Sequence, residues 1–391
     1  MVSFLFPAGF EFEATSGGIL KPCRIETASG FHSAFPPGTA VGHTPGVILA
    51  LTQRLRDGRD LTGSEIIDAV AQLADESAPV EPKADFLTAL AQKGESPEEL
   101  AGFARALRDR SIPVPIDAET RSRGLLDVCG TGGDRLNTFN ISTTVGLVCA
   151  AAGATVAKHG NRAITSKAGS ADVLAALGVP VEQSPEAAAA ALKTHRFAFL
   201  FATRYHPAFK AIGPARRLCA ERNQRTIFNH LGPLLNPARP EYQLVGASRP
   251  ELVEPMARTL RALGAERAMV VNGSVPGHGT LDEFSTLGPN VVAEFHHGGA
   301  LTRAECSLEG YPLQPATLED LVGGDAAVNA GIIERILDGQ DRSPRRDAVL
   351  LNTGAALFCA GIARSITEGW DRAAAAIDSG AARRTLNGLR G

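Results

Sequence analysis

Asp282 and Glu283 stand side by side in a stretch rich in glycine and proline, from Ser274 to Pro289. Adjacent carboxylates in a loop most often carry plain surface charge. Beside a phosphate site they become hard oxygen donors suited to Mg²⁺, whose shell a phosphate can share. The middle of the chain offers such a site. Asp127-Val-Cys-Gly-Thr-Gly-Gly-Asp134 places three glycines in four positions, so backbone N–H groups can approach an anion with no Cβ in the way. It is not the dinucleotide fingerprint, because Arg135 stands where the third glycine belongs. It is not a Walker loop either, because the chain has no Gly-Lys pair. Alone, the loop reads equally well as a tight turn.

Its neighbours favour the anion. Asn137-Thr-Phe-Asn-Ile-Ser-Thr-Thr144 falls where a helix should begin, and six of its eight residues carry small hydroxyl or amide groups, more than one cap needs. They suit hydrogen bonds to phosphate oxygens, and a hydroxyl can join a Mg²⁺ shell. Lys158-His-Gly-Asn-Arg-Ala-Ile-Thr-Ser-Lys-Ala-Gly-Ser170 adds three cations and two glycines in thirteen residues. It can be a solvated basic loop, but two strand ends that both favour anions point to a polyphosphate site. His159, between Lys158 and Asn161, goes with it. Arg216 and Arg217 follow Gly213-Pro-Ala at an expected helix start. Either one can face solvent or pair with a carboxylate in bidentate fashion.

The elements that must position these residues are legible in outline. From Leu49 to about Arg110 apolar residues recur at helical spacing, with start signals at Thr62 to Glu65 and at Ser96 to Glu99. Ile112-Pro-Val-Pro-Ile116 predicts an extended linker. Strands are expected at Leu125 to Cys129, Thr155 to Ala157, Gly178 to Val181, Phe197 to Ala202 and Ala268 to Asn272. Helices are expected at Thr143 to Ala152, Ala171 to Leu177 and Ser184 to Leu192. The alternation predicts an α/β fold, a small N-terminal helical domain followed by a larger domain with a mostly parallel sheet. Residues 1–48 read as a loosely attached extension of uncertain order, 49–115 as the helical domain with a later helical contribution around 206–230, and 116–391 as the α/β domain.

Composition excludes several classes. Lys plus Arg number 39 against 42 Asp plus Glu, a net charge of -3, which lacks the basic excess of a nucleic-acid binder. Six scattered cysteines form no CxxC, so neither a zinc motif nor a disulfide framework is indicated and a reducing, cytoplasmic setting is expected. The longest near-apolar run, Val145 to Ala157, has 13 residues, too short to span a bilayer.

The sequence resembles anthranilate phosphoribosyltransferase in DVCGTGGD (Asp127 to Asp134), NIST (Asn140 to Thr143), KHGNRAITSKAGS (Lys158 to Ser170), RTIFNHLGPLLNP (Arg225 to Pro237) and LDEFS (Leu281 to Ser285). The likeness runs in order from about Leu49 to near the C-terminus. It implies a helical domain hinged to an α/β domain of the kind shared with nucleoside phosphorylases, and a homodimer. It implies transfer of phosphoribose from 5-phosphoribosyl diphosphate (PRPP) to the amine of anthranilate, with diphosphate released, in tryptophan biosynthesis.

By motif, the resemblance assigns the PRPP pocket to Gly130, Gly133, Asp134, Thr138, Asn140, Ile141, Ser142 and Thr143. It adds Lys158, His159, Gly160, Asn161, Arg162, Ala163, Ile164, Thr165, Ser166 and Ser170. Anthranilate contacts fall to Gly130, Asn161 and Arg216, with Arg217 an alternative because the following segment is about three residues longer than the common pattern. Tyr205 and His206 are further candidates. Catalytic roles fall to Lys158, Asn161 and Arg216. Two Mg²⁺ ions are implied, held by Ser142 and by Asp282 with Glu283. The rival readings are a pyrimidine nucleoside phosphorylase-like enzyme and a non-catalytic nucleic-acid-binding relative.

Overall fold

A computed structural model describes residues 46–163 and 167–390. The expected loose extension therefore lies almost wholly outside the described residues. Among the described residues four helices come first: Gly46–Arg56, Gly63–Ala74, Val80–Lys93 and Pro97–Arg108. Capping boxes at Thr62 with Glu65 and at Ser96 with Glu99 start the second and fourth, each satisfying two otherwise orphaned backbone donors. A later helix, Ala208–Glu221, joins them, and Ile212, Ala215 and Cys219 share one apolar cluster with Leu51, Leu55, Phe86 and Phe103.

Among the described residues eight strands make one sheet: β1 (Leu125–Gly130), β2 (Thr155–Gly160), β3 (Phe197–Phe201), β4 (Tyr242–Gly246), β5 (Arg267–Val275), β6 (Gly279–Leu281), β7 (Asn290–His296) and β8 (Thr302–Cys306). Their order is β3-β2-β1-β4-β5-β7-β8, with β6 beside β5. The first five strands run parallel, while β6, β7 and β8 are antiparallel additions. Buried strands show side chains to alternate faces. In β5, Ala268 and Val270 join the cluster shared with the helical bundle, while Met269 and Val271 join the one built on helices Ile141–Ala151 and Pro344–Cys359. The small helical domain and larger α/β domain are thus both present, and the sheet is mixed but mostly parallel.

The strand expected over Gly178 to Val181 is absent. Gly178 has φ +78°, and its N–H and that of Val179 bond back to Ala175 and Leu174. These residues close the C-terminus of helix Ser170–Ala176 and so are not free to pair with a strand. Among the described residues no helix is long and apolar enough to cross a membrane.

Candidate active site

The chain steps from β1 outward to β2 and β3, then returns to β4 on the other side of β1. The carboxyl ends of β1 and β4 therefore flank a crevice where the strand order reverses, the usual ligand position in an open parallel sheet. Gly130 ends β1 and pairs in register with Gly246 at the end of β4. The residues after β6 lie across both. A Cβ on Gly130 would lie 2.1 Å from Asp282 Oδ2, and one on Gly246 would lie 1.6 Å from the Asp282 carbonyl oxygen. Only glycine admits this carboxylate.

The loop that follows β1 wraps around it. Gly132 and Gly133 take φ +72° and +86°, and the Gly132 N–H donates to Asp282 Oδ2 at 2.7 Å. Arg135 and Asn137 also hold positive φ, at 64° and 54°, a sparsely populated state for side-chain-bearing residues. Thr138 bridges to Val322, and Phe139 N–H donates to the Leu321 carbonyl at 3.0 Å. Helix Ile141–Ala151 then begins. Its Ser142 N–H donates to Glu283 Oε1 at 3.1 Å, so both carboxylates accept backbone N–H groups from the two ends of one loop. Lys158, buried in β2, donates to the Val128 carbonyl at 2.5 Å and to Ser142 Oγ at 3.3 Å. Ser142, Lys158, Asp282 and Glu283 thus form one connected group.

Burial and the neighbouring Asp134 and Glu283 charges push the Asp282 carboxyl well above the usual range. Burial pushes Glu283 up to about 7, against the pull of the Lys158 ammonium. A pair held this way calls for added positive charge, and its donors are all oxygen, which fits a hard divalent cation. Among the described residues no group of three or more His, Cys, Asp or Glu could hold a metal by itself. An ion such as Mg²⁺ takes one or two carboxylates and fills its shell with phosphate and water.

At the end of β2, His159 N–H donates to Asp127 Oδ1 at 3.2 Å, and Asn236 Nδ2 donates to Asp127 Oδ2 at 2.8 Å. This buried carboxylate ties β1, β2 and the Arg225 to Pro237 segment together. Gly160 makes room for Ser170 and Phe199, because a Cβ there would come within 2.2 Å of Ser170 Oγ. Asp172 closes the loop at its feet, accepting from Ala163 N–H at 2.9 Å, Gly169 N–H at 3.0 Å and Arg162 Nη1 at 3.1 Å. Asn140 reaches the same loop through the Ala168 carbonyl at 3.1 Å. Ile164, Thr165 and Ser166 lie outside the described residues.

Beside this group opens a cavity of ≈ 210 Å³. Gly130, His159, Asn161, Phe209, Arg216 and Phe228 are among its walls. Arg216 is not at a helix start. It sits inside helix Ala208–Glu221, which continues through Pro214. Its guanidinium lies over the Phe228 ring at 5.1 Å and, among the described residues, has no ion pair or hydrogen bond. Burial lowers its pKa. A partly buried cation without an anion, at the wall of a cavity, fits a ligand carboxylate. Arg217 is exposed and not on that wall.

His206 stacks on Phe209, with ring centroids 5.1 Å apart, and meets His159 edge-on at 5.2 Å. Tyr205 is buried in an apolar cluster with Leu125 and Leu200 and does not line the cavity. Reading the sequence assigned no role to Phe209 or Phe228. Both look like ordinary core phenylalanines, and only the fold turns them toward an opening.

A model of a glycosyl transferase family, a/b domain, matches residues 122–383, and one of its helical bundle domain matches 49–111. The chain is 46% identical over 332 residues to an anthranilate phosphoribosyltransferase of Roseiflexus castenholzii, covering 85% of this chain and 94% of that protein. The crystal structure of the anthranilate phosphoribosyltransferase of Thermus thermophilus superposes with a TM-score of 0.78 at 39% identity, covering 87% of this chain and 98% of that one. The anthranilate phosphoribosyltransferase of Saccharomyces cerevisiae in complex with PRPP and Mg superposes with a TM-score of 0.77 at 25% identity, covering 88% of this chain and 97% of that one. With both domain models matched in order and the full-length relatives this similar, the chain belongs to the anthranilate phosphoribosyltransferases, a glycosyl transferase family that joins a helical bundle to an a/b domain.

Proposed function

We propose that this chain transfers the phosphoribosyl group of PRPP to the amine of anthranilate, giving N-(5-phosphoribosyl)-anthranilate and diphosphate, in tryptophan biosynthesis. One observation carries the reading. Gly130 is a shared wall: it lines the cavity that holds Arg216, which has no ion pair among the described residues, and its missing side chain is where the Asp282 carboxylate sits. A carboxylate-binding cavity and a diphosphate-binding loop thus meet at one residue. Transfer between two bound substrates requires such contact.

In this reading the Gly130 to Thr143 loop and the Lys158 to Ser170 loop hold PRPP. Asp282 and Glu283 hold one Mg²⁺ and Ser142 joins the shell of a second. Mg²⁺, when bound, draws off the negative charge that builds on the departing diphosphate. Lys158 adds positive charge from beneath the loop, since its ammonium is already engaged by Val128 and Ser142. Arg216 pairs with the anthranilate carboxylate, and Asn161 at the cavity wall helps orient the ring. The nucleophile is a neutral aromatic amine, so positioning supplies much of the rate and no strong base is needed before attack. The apolar walls Phe209 and Phe228 keep out water, the competing nucleophile. Leu49 and Ile67, each 56% exposed on the bundle, offer apolar area for a second copy, in keeping with a homodimer.

The test is the loss of anthranilate fluorescence with the purified protein. Loss that needs both PRPP and Mg²⁺ supports the proposal. No loss, with cleavage of uridine or thymidine by phosphate instead, favours the phosphorylase reading.

A further inference from the structure

We infer that Asn352 is a positioning residue for the Asp282 and Glu283 carboxylates. The inference rests on the metal-holding role proposed for that pair. The next residue, Phe284, has both backbone polar groups bound by one remote side chain. Its N–H donates to Asn352 Oδ1 at 2.9 Å, and its carbonyl accepts from Asn352 Nδ2 at 2.9 Å. Ser285 repeats the pattern with Asn290, donating to Oδ1 at 2.7 Å and accepting from Nδ2 at 3.1 Å. Two carboxamides therefore stand in for the strand that would otherwise pair with this segment. A two-point bond fixes the direction of a peptide as well as its place.

Asn352 is well placed for this. It is fully buried, anchors to its own helix through the Ala348 carbonyl at 2.9 Å, and sits in helix Pro344–Cys359. That helix packs on helix Ile141–Ala151, which carries Ser142. One rigid pair of helices thus sets both the Ser142 side of the group and, through Phe284, the carboxylate side. The Phe284 ring, also fully buried, pins the segment from the apolar side.

The test uses the full chain and Mn²⁺, read by electron paramagnetic resonance in the presence of PRPP. Asn352→Leu keeps the size of the side chain and removes both bonds. It should weaken Mn²⁺ binding about tenfold or more, with the KM for anthranilate within about twofold of wild type. Asn352→Asp keeps an acceptor for the Phe284 N–H and should fall between. If the leucine variant does not fold, the aspartate variant decides alone. Wild-type Mn²⁺ affinity in a folded variant overturns the inference, as does an anthranilate KM that rises in step with the Mn²⁺ Kd. A wild-type protein that binds no Mn²⁺ alongside PRPP overturns the metal reading itself.

Discussion

The Asp282 carboxylate occupies the space that a side chain at Gly130 would need, with only 2.1 Å between Oδ2 and the position of a Cβ. Gly130→Ala must therefore move the segment that carries both carboxylates, because the Asp282 carbonyl oxygen is also within 2.9 Å. Turnover should fall at least about tenfold, equivalent to ~1.4 kcal/mol, and more Mg²⁺ should be needed for half-maximal rate. Steady-state kinetics across a Mg²⁺ series checks this. A normal Mg²⁺ requirement would show that the loop tolerates the added methyl.

Asp282→Asn combined with Glu283→Gln should reduce turnover by about tenfold or more. The metal-free protein should become more stable, because the wild-type pair is buried and mutually repelled. Thermal melts in chelator, set beside rates in saturating Mg²⁺, give both readings. A double variant with wild-type rate at limiting Mg²⁺ removes the metal assignment.

Arg216→Ala should raise the KM for anthranilate by roughly tenfold or more, the scale of a lost charge-assisted hydrogen bond. The KM for PRPP should move less, because Arg216 lines the cavity and, among the described residues, bonds to none of the loops that bear on the carboxylates. The opposite ordering of the two constants would place the guanidinium on the wrong substrate.

Acid stability should reveal two opposed titrations. Burial lowers His206 and His230 to about 4 from 6.5. Between these values the unfolded chain binds the proton and the folded one does not, so stability falls as pH drops from about 6.5 to about 4. The shift is worth up to about 3 kcal/mol for each residue. Glu283 acts in reverse. Its folded value, about 7, exceeds the ordinary 4.5, so its contribution is complete below about 4.5 and is lost as pH rises through about 7. Denaturant unfolding across pH should therefore show a shallow slope in wild type and a steeper one in the carboxylate double variant. Equal slopes would mean that the carboxylate shift is absent.

Much of this site is legible in the chain because its main parts are local. Three glycines after a strand, or thirteen residues holding three cations, show themselves without a fold. Asp282 and Glu283 carry less signal on their own, and only the approach of Gly130 and Gly246 gives them a place. The sequence places Arg216 at a helix start because Pro214 interrupts the helical pattern, although the helix runs through it. The expected strands omit β4, β6, β7 and β8; β6 has only three residues, and β8, Thr302–Cys306, is a mostly exposed, polar edge strand with no apolar alternation. Asn352 carries no signal, since an asparagine that binds backbone far away in sequence looks like any other.

The apolar cluster of the helical bundle does not stop at the bundle. It runs without a break from Leu51 and Phe86 to Val245, Val270 and Phe295 on the sheet. A wide swing of the two parts would expose this greasy seam to water at roughly 25 cal/mol for every Å² uncovered. Whatever admits the substrates should therefore be a short slide along the seam. A distance probe spanning the bundle and β8 should record a change of a few ångströms, far less than a gaping jaw would give.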